Sequence, residues 1–279
     1  MDLLLAEAQA CDAKVALAND PDADRLGAAI PQPDGTWRRL SGDEIGTLLA
    51  AHVLDHTSGH DRLVVSTIAS SRMLAAMAAS HEVRHQSVLT GTKWIARAAL
   101  DNIDHRFVFG YEEALGYLVG DVVHDKDGIS AALLVAESVA ELRHTGRTVQ
   151  DRLDELARAH GLHQTRPWSL RFDSNPEGRS RIADIMSSFR STPPYHLGDV
   201  VVSGVTDVLN GSDDLPPSNV LILDLADGSR VVVRPSGTEP KAKFYLEAVI
   251  SDAVDVAAAR VEADRRLTSM QTALEALVG

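Results

Sequence analysis

After about residue 165 the sequence changes from alternating strand and helix patterns to a run of strands. Before that point, RLVVSTI, EVRHQSV and RFVFG are separated by apolar helix patterns at about 72–80 and 92–101, and further helices follow at 127–144 and 149–160. Such alternation favours a sheet with crossover helices. Afterwards WSLRF, VVVSGVTD, NVLILDLA, RVVVRP and KFYLEAVI follow one another, accompanied by helices at about 176–190 and 254–277. The sequence therefore predicts mixed-sheet α/β domains followed by an α+β C-terminal domain with an antiparallel sheet.

A second change of pattern comes near residue 41. Residues 2–12 favour a short helix, and 14–19 and 26–30 favour strands. Ser41-x-x-Glu44 then forms a capping box that predicts the start of a new helix and of a new unit. We therefore expect three parts among the 279 residues, at 1–40, 41–165 and 166–279.

Charge and composition exclude several classes of protein. The formal net charge of −13 argues against a nucleic-acid or anionic-membrane binder. No run reaches the roughly 20 apolar residues of a membrane span, and Asp2 stands where a signal peptide would be basic. The single cysteine, Cys11, excludes an internal disulfide framework. We expect a cytoplasmic protein in which any site for an anionic substrate gathers its basic residues locally.

Three carboxylates alternate in NDPDADR, directly after a predicted buried strand. Asp20, Asp22 and Asp24 offer hard oxygen ligands of the kind that Mg²⁺ prefers. Without a cation the three charges would repel one another. A solvated acidic turn is the alternative, and an EF-hand is excluded because Arg25 stands where its loop requires glycine.

A phosphate-binding loop is one interpretation of RPSGTEPKAK. Arg234 can grip two phosphate oxygens, while Ser236, Gly237 and Thr238 can supply hydroxyl and backbone donors. Lys241 and Lys243 alternate on the strand that follows and so share a face. An ordinary turn between two strands is the alternative.

Three further motifs are weak when each is taken alone. In FGYEEALGY, Glu112 could accept hydrogen bonds from sugar hydroxyls, although an acidic helix start explains the pattern equally well. Lys93 in TGTKW and Lys126 in HDKDG each stand near a predicted helix start, where most lysines are simply solvated.

Two histidine patterns suggest metal sites that the predicted structure argues against. HEVRH at 81–85 matches a zinc-protease string that requires a helix, but its residues alternate like a strand, which would hold the two histidines about 13 Å apart. His52, His56 and His60 recur every four residues, but Gly59 and its polar neighbours indicate that the helix has ended.

Taken in order, DPDADR, TGTKW, GYEEALGY, DKDG and RPSGTEPK resemble the α-D-phosphohexomutase superfamily over residues 15–247. The wording looks most like the branch of phosphopentomutase and glucomutase-2-type enzymes. The resemblance implies a phosphosugar mutase that interconverts sugar 1-phosphates and 6- or 5-phosphates through a phosphoserine enzyme and a sugar bisphosphate, with Mg²⁺ as cofactor.

The resemblance also implies residue roles. Asp20, Asp22 and Asp24 would bind Mg²⁺, and Glu112 would hold sugar hydroxyls. Three basic residues would act at the phosphoserine and the reacting phosphate: Arg25, Arg72 and Lys126. The remaining residues would hold substrate or its non-transferred phosphate: Thr90, Gly91, Lys93, Arg234, Ser236, Gly237 and Thr238.

The sequence departs from the family pattern in two ways. Ala114 and Tyr117 stand where many relatives have serine and histidine, which leaves the preferred sugar open. No T-A-S-H-N-P-like serine loop occurs, so we expect the chain to correspond to the end of domain 2, domain 3 and domain 4 and to be inactive alone.

Two other functions remain open. VALANDPD and GDVVHD resemble motifs of haloacid-dehalogenase-like phosphatases, in which Asp20 would be the nucleophile, but that interpretation leaves RPSGTEPKAK unexplained. A non-catalytic sugar-phosphate-binding module is the other alternative.

Overall fold

The computed structural model describes residues 1–212 and 214–278. The chain forms two compact units, Met1–His160 and the part that begins at Gly161. The first unit contains, in order, α1 (Asp2–Ala10), β1 (Ala16–Asn19), β2 (Leu26–Pro31), β3 (Trp37–Arg39), α2 (Gly42–His56), β4 (Arg62–Thr67), α3 (Met73–Ser80), β5 (Arg84–Val88), α4 (Thr92–Asp101), β6 (Arg106–Glu112), β7 (Gly116–Val119), α5 (Gly128–His144) and α6 (Val149–His160).

The first unit has two sheets. Strands β1, β2 and β3 form an antiparallel sheet in that order, and Asn19 at the end of β1 pairs with Leu26 at the start of β2. The second sheet has the order β5-β4-β6-β7, in which β4 pairs in parallel with both β5 and β6, and β7 runs antiparallel to β6. Because the carboxyl ends of parallel strands share one edge, the loops after β4, β5 and β6 meet there.

Local sequence signals explain where the main helices begin. At the start of α2, the Glu44 N–H donates to Ser41 Oγ at 3.1 Å and the Ser41 N–H donates to Glu44 Oε2 at 2.8 Å, which completes the predicted capping box. At the start of α5, Asp127 accepts from the N–H groups of Ile129 and Ser130. Strand β4 is buried along its whole length, as expected of a central parallel strand.

The second unit is built on one antiparallel sheet. Its elements are β8 (Leu162–Arg171), α7 (Pro176–Ser191), β9 (His196–Leu197), β10 (Val200–Asp207), β11 (Leu221–Leu225), β12 (Arg230–Pro235), β13 (Lys241–Ile250) and α8 (Val256–Val278). The strand order is β8-β13-β12-β11-β10-β9. Helix α8 packs on β8 and β13, and α7 packs on β11 and β12. The predicted fold class is confirmed.

Some boundaries differ from the sequence predictions. Strand β8 begins at Leu162 and pairs with β13 along its full length, so residues 162–165 belong to the second unit's sheet rather than to the part predicted at 41–165. Strand β7 was not predicted, because Gly116-Tyr-Leu-Val is too short to show a period. Residues 1–40 lie in the same compact unit as the residues up to 160, with β1 and β2 against α5.

Candidate functional site

The aspartate loop, residues 20–25, joins the two paired strands β1 and β2. Asp20 accepts from the Arg25 N–H at 3.1 Å and from Arg25 Nε at 2.6 Å, so both ends of the loop are tied together. Ala23 has a φ of +59°, a left-handed conformation that closes the turn. One carboxylate oxygen from each of Asp20, Asp22 and Asp24 lies within 4.8 Å of the other two. The loop therefore brings the three predicted metal ligands close together.

Asp24 provides the sharpest test of a cation at this loop. Its Oδ2 lies 2.7 Å from Lys126 Nζ, but its buried Oδ1 accepts no hydrogen bond from residues 1–212 and 214–278, and Arg25 Nε lies 3.6 Å from it. A buried carboxylate oxygen without a donor is costly, and a hard cation would satisfy it. Oxygen ligands of Mg²⁺ at about 2.1 Å lie roughly 3–4 Å apart, which this loop can supply with small movements. The residues fit Mg²⁺.

The pKa values of Asp20 and Lys126 are shifted in the directions that favour their charged forms. Burial alone would raise the pKa of Asp20, but the backbone and side-chain donors of Arg25 outweigh it and lower that pKa. The hydrogen bond to Asp24 is the main reason that the pKa of Lys126 is raised, and Asp125 adds to it. The Asp20 carboxylate and the Lys126 ammonium group are thus both favoured at this site.

Glu112 and Lys126 meet on either side of Gly116. A Cβ at Gly116 would lie 3.1 Å from Glu112 Oε1 and 3.1 Å from Lys126 Cδ, so a larger residue there would crowd both side chains. Burial raises the pKa of Glu112, although Lys126 and a hydrogen bond from the Gly91 backbone oppose that rise. Gly116 also pairs with Arg25 in an isolated bridge, which joins the aspartate loop to this hairpin.

The loops at the carboxyl edge of the parallel strands hold the other predicted residues. Half-buried Arg72 precedes α3 after β4, and Thr90 and Gly91 follow β5. Gly91 caps α4 with a φ of +112°, which favours glycine. Lys93 differs from these residues because its side chain is exposed. Its Nζ lies over the Trp94 ring, 5.6 Å from the ring centroid.

Two residues of this edge were missed by the sequence analysis. Thr92 Oγ1 donates to Asp125 Oδ1 at 2.6 Å, and Asp125 also accepts from the Lys126 N–H at 2.7 Å. This contact fastens the start of α4 to the loop that carries Lys126. Both residues lie inside the motifs TGTKW and DKDG, but nothing in either motif indicates that the two loops touch.

An acidic pair, buried Asp43 and half-buried Glu113, lies beneath the same edge. Asp43 accepts from the Ser71 N–H at 2.7 Å and from Tyr111 Oη at 3.0 Å. Glu113 accepts from Thr67 Oγ1 at 3.3 Å. Burial, followed by the charges of Asp43 and Glu112, raises the pKa of Glu113 to about 7. The sequence did not predict the raised pKa of Glu113, because adjacent glutamates in a loop are usually solvated.

The predicted phosphate loop, residues 234–238, lies in the second unit where β12 leads towards β13. Arg234 Nη1 donates to Tyr245 Oη at 3.4 Å, and the Ser236 N–H donates to the Lys241 carbonyl at 2.8 Å. Gly237 and Thr238 are exposed. A cavity of about 500 Å³ is lined by Ser236, Gly237 and Thr238 together with residues of α7. Ser236, Gly237 and Thr238 therefore border open space, whereas Arg234 and the Ser236 N–H already donate to partners within the unit.

Lys241 behaves differently from the lysine beside it on the strand. Its Nζ lies 2.6 Å from Glu239 Oε2, and the side chain is largely buried. Much of its charge is therefore already balanced by Glu239. Lys243, which is half-buried, pairs across the sheet with Arg234 in the β12–β13 register.

The two histidine patterns have different outcomes. In HEVRH, α3 ends at Ser80, and His85 lies on β5, where its Nε2 is 2.9 Å from Ser66 Oγ. The string is not helical, as predicted. In the other pattern, α2 continues to His56, so His52 and His56 share a helix whereas His60 lies beyond it.

Comparisons with known proteins match the motifs to a family. Residues 41–160 match phosphoglucomutase/phosphomannomutase, alpha/beta/alpha domain III, and residues 202–265 match the C-terminal domain of the same family. The chain belongs to the α-D-phosphohexomutase superfamily. The resemblance read from the sequence motifs is thus confirmed at the level of the superfamily.

Curated relatives match most of the chain, and solved structures share its fold. A Haemophilus influenzae protein described as a probable phosphomannomutase is 36% identical over 91% of this chain and 50% of its own length. A Staphylococcus aureus phosphoglucomutase is 34% identical over 88% of this chain and 46% of its own length. The structure of parafusin, a phosphoglucomutase from Paramecium, shares 18% identity and a TM-score of 0.65 over 94% of this chain and 46% of its own.

Another neighbour in fold was solved with ligands. An Aspergillus fumigatus N-acetylphosphoglucosamine mutase, in complex with GlcNAc-6P and magnesium, shares 18% identity and a TM-score of 0.51 over 93% of this chain and 51% of its own. This chain spans about half the length of the curated relatives it matches. None of the helices in 1–212 and 214–278 has the length and apolar character needed to cross a membrane.

Proposed function

We propose that this chain provides the metal-binding, sugar-binding and phosphate-binding parts of a phosphosugar mutase. The reaction would interconvert a sugar 1-phosphate with a 6- or 5-phosphate. A phosphoserine outside the motifs of this chain would give its phosphoryl group to one hydroxyl of the substrate, and the other phosphate of the resulting bisphosphate would return to the serine. Family membership supports this reaction type.

One observation carries the proposal. Residues from four separate motifs contact one another in the first unit, through the Lys126–Asp24 ion pair at 2.7 Å, the Thr92–Asp125 hydrogen bond at 2.6 Å and the Arg25–Gly116 bridge. If each motif were only a turn or a helix start, nothing would require the carboxylates, the lysine and the half-buried glutamate to lie together. A site for a charged, hydroxyl-rich substrate needs all three.

The chain's own residues would divide the work. Asp20, Asp22 and Asp24 would hold Mg²⁺, which neutralises charge on a phosphoryl group in transfer. Arg25, which lies against Asp20, would also contact the phosphoserine. Lys126 would stabilise charge on the reacting phosphate, and Glu112 would accept from the sugar hydroxyls.

Substrate would be positioned by the remaining predicted residues. Arg72, Thr90 and Gly91 stand at the strand edge of the first unit, and Lys93 would contribute a flexible charge at the start of α4. In the second unit, residues 234–238 would grip the phosphate that is not transferred. Bidentate and hydroxyl donors suit a group that must be held in either orientation of the sugar.

The phosphatase alternative is less well supported. A nucleophilic Asp20 would need an accessible carboxylate oxygen, but Oδ1 accepts from the Arg25 N–H and Oδ2 from Arg25 Nε. Hydrogen bonds to both oxygens lower nucleophilicity. The A. fumigatus neighbour, solved with a sugar phosphate and magnesium, also favours the mutase interpretation.

The test is a coupled mutase assay on the protein that contains this chain, with Mg²⁺ and glucose 1,6-bisphosphate. Glucose, mannose, ribose and deoxyribose 1-phosphates would identify the sugar and test the phosphopentomutase-like branch. Lys126→Met should lower kcat by about 100-fold or more, the scale of losing one preorganised charge-stabilising donor. The matched control is Lys14→Met, since Lys14 contacts only Asp12 among the described ion pairs.

Other outcomes would contradict the proposal. Release of inorganic phosphate from the bisphosphate, abolished by Asp20→Asn, would establish the phosphatase. Tight sugar-phosphate binding without either turnover would establish a binding module. An effect of Lys14→Met equal to that of Lys126→Met would remove Lys126 from the site.

A further inference from the structure

A second group of metal-ligand side chains lies between α2 and α5. His52 and His56 are four residues apart on α2, and Glu137 and Glu141 are four residues apart on α5, so each pair occupies one helix face. One ligand atom from each of His52, His56 and Glu141 lies within 4.8 Å of the other two. The His52 side chain is only 5% exposed, whereas the other three are about half-exposed.

The hydrogen bond of His56 decides which of its nitrogens carries a lone pair. His56 Nδ1 lies 2.8 Å from the His52 carbonyl oxygen. A carbonyl can only accept, so Nδ1 is the protonated nitrogen. In the neutral ring Nε2 is then an acceptor, yet it faces Glu141 Oε1 at 3.0 Å. Two acceptors in this position call for a cation or a proton between them.

His52 shows the same arrangement with its nitrogens exchanged. Nε2 lies 3.1 Å from Glu137 Oε2 and can donate to it. This leaves Nδ1 as the lone-pair nitrogen, 3.6 Å from Glu141 Oε2. Each imidazole is therefore held through its far nitrogen by a carbonyl or carboxylate, the outer contact that metal-ligating histidines in proteins nearly always make.

The spacing and the ligand types indicate a class of metal. In a tetrahedral site with bonds of about 2.0–2.1 Å, neighbouring ligand atoms lie about 3.3–3.4 Å apart. The His56 Nε2–Glu141 Oε1 distance of 3.0 Å and the His52 Nδ1–Glu141 Oε2 distance of 3.6 Å involve different carboxylate oxygens and lie on either side of that value. Two imidazoles with one carboxylate suit Zn²⁺ and its neighbours, whereas Mg²⁺ prefers oxygen ligands alone.

We propose that His52 Nδ1, His56 Nε2 and the Glu141 carboxylate bind Zn²⁺, with Glu137 as a positioning residue for the His52 ring. The ion would fasten the end of α2 to α5. Its fourth ligand would be water, because a cavity of about 340 Å³ borders His52, His56 and Glu137. This inference is independent of the proposed mutase function.

Isothermal titration with ZnCl₂ tests the site directly. The chelator-treated protein is titrated in excess Mg²⁺, which occupies hard-oxygen sites such as the aspartate loop. We expect one Zn²⁺ per chain in the wild type. His56→Gln and Glu141→Gln should each weaken Zn²⁺ binding by about 100-fold or more, and Glu137→Gln by about 10- to 100-fold.

A matched control separates this site from general histidine binding. His60 is 85% exposed and lies beyond α2, with its Nδ1 3.6 Å from Glu82, so His60→Gln should bind Zn²⁺ like the wild type. Circular dichroism checks that each variant is folded; the half-exposed position of His56 makes that variant the safest of the series. Co²⁺ should give the visible spectrum of a four-coordinate ion, lost in His56→Gln.

Three results would overturn the proposal. The first is unchanged Zn²⁺ affinity in folded His56→Gln and Glu141→Gln. The second is Zn²⁺ binding that disappears in Asp22→Asn, which would place the ion at the aspartate loop. The third is the absence of any Zn²⁺ binding by the folded wild type, in which case the histidines and glutamates form ion pairs through protonated imidazoles.

Discussion

Glu113 should make the stability of the first unit depend on pH in an unusual direction. Its pKa is raised to about 7, first by burial and then by the charges of Asp43 and Glu112, from an ordinary value of 4.5. Between those values the folded chain keeps a proton that the unfolded chain has lost. The free energy of unfolding therefore contains a contribution that is fully present below pH 4.5 and is lost as the pH rises through 7.

The magnitude follows from the difference between the two pKa values. About 2.5 pH units at about 1.4 kcal/mol each give about 3.5 kcal/mol. Part of the residue's surface remains exposed although its carboxyl group is deeply buried, so about 3.5 kcal/mol is an upper value and about 2 kcal/mol is expected. Glu113→Gln keeps the shape and the hydrogen bond to Thr67 Oγ1 without a titrating proton. The variant should be more stable than wild type at pH 8.

The assay is urea unfolding from pH 5 to pH 8. With Trp168 replaced by Phe in every protein, fluorescence reports on Trp37 and Trp94, which both belong to the first unit. Glu7→Gln, an exposed change in α1, is the control. If the stability curves of wild type and Glu113→Gln run parallel over this pH range, the carboxyl group does not titrate differently in the folded state and the argument fails.

Three further predictions concern the proposed mutase site and its backbone. Asp22→Asn should lower turnover by at least about 100-fold, since a metal ion supplies several kcal/mol of charge stabilisation. The circular dichroism spectrum should be unchanged because Asp22 is exposed. Near-normal activity with unchanged Mg²⁺ dependence would contradict the metal assignment. Arg234→Ala should weaken binding of both the 1-phosphate and the 6- or 5-phosphate by about 2–3 kcal/mol in calorimetry, and a loss confined to one substrate would argue against a shared phosphate site. Gly128→Ala should destabilise the first unit by about 1–3 kcal/mol in urea, because its Cβ would meet backbone oxygens of the aspartate loop at 2.5 and 2.8 Å. Gly27→Ala is the control, since the nearest atom to its Cβ would lie 3.8 Å away. Equal stability of the two variants would refute the steric argument.

The activity of the 279 residues alone is also predictable. No serine loop of the T-A-S-H-N-P kind occurs in them, so they should show no mutase turnover in the coupled assay even with Mg²⁺ and bisphosphate. Turnover traced to this chain would mean that the nucleophile lies within residues 1–279. Asp20 would then be the first candidate.

Most elements could be predicted because their signals are local. The capping box at Ser41 and Glu44, the four-residue spacing of apolar side chains in helices and the alternation in β12 each depend on neighbours in sequence. Strand β7 and the first residues of β8 could not be predicted, since their strand character comes from pairing with β6 and β13. Those partners are chosen by tertiary packing.

The candidate sites divide in the same way. Asp20, Asp22 and Asp24 could be assigned together from sequence because a short loop keeps three ligands close whatever the rest of the chain does. By contrast, the four-residue histidine spacing did not predict a site. Whether those histidines can share a ligand depends on where α2 ends and on which helix packs against α2. Only the packing of α5 against α2 brings Glu137 and Glu141 to those rings.

The sequence by itself determined the family, the order of the elements and the chemistry of each motif, because these depend on residue types at short spacing. Tertiary structure alone decided that Lys126 meets Asp24, that Thr92 meets Asp125 and that Glu113 is deep enough to hold a proton near neutral pH. The physical reason is that ion pairs and burial are set by three-dimensional neighbours, and residues from distant motifs become neighbours only when the sheets and helices pack.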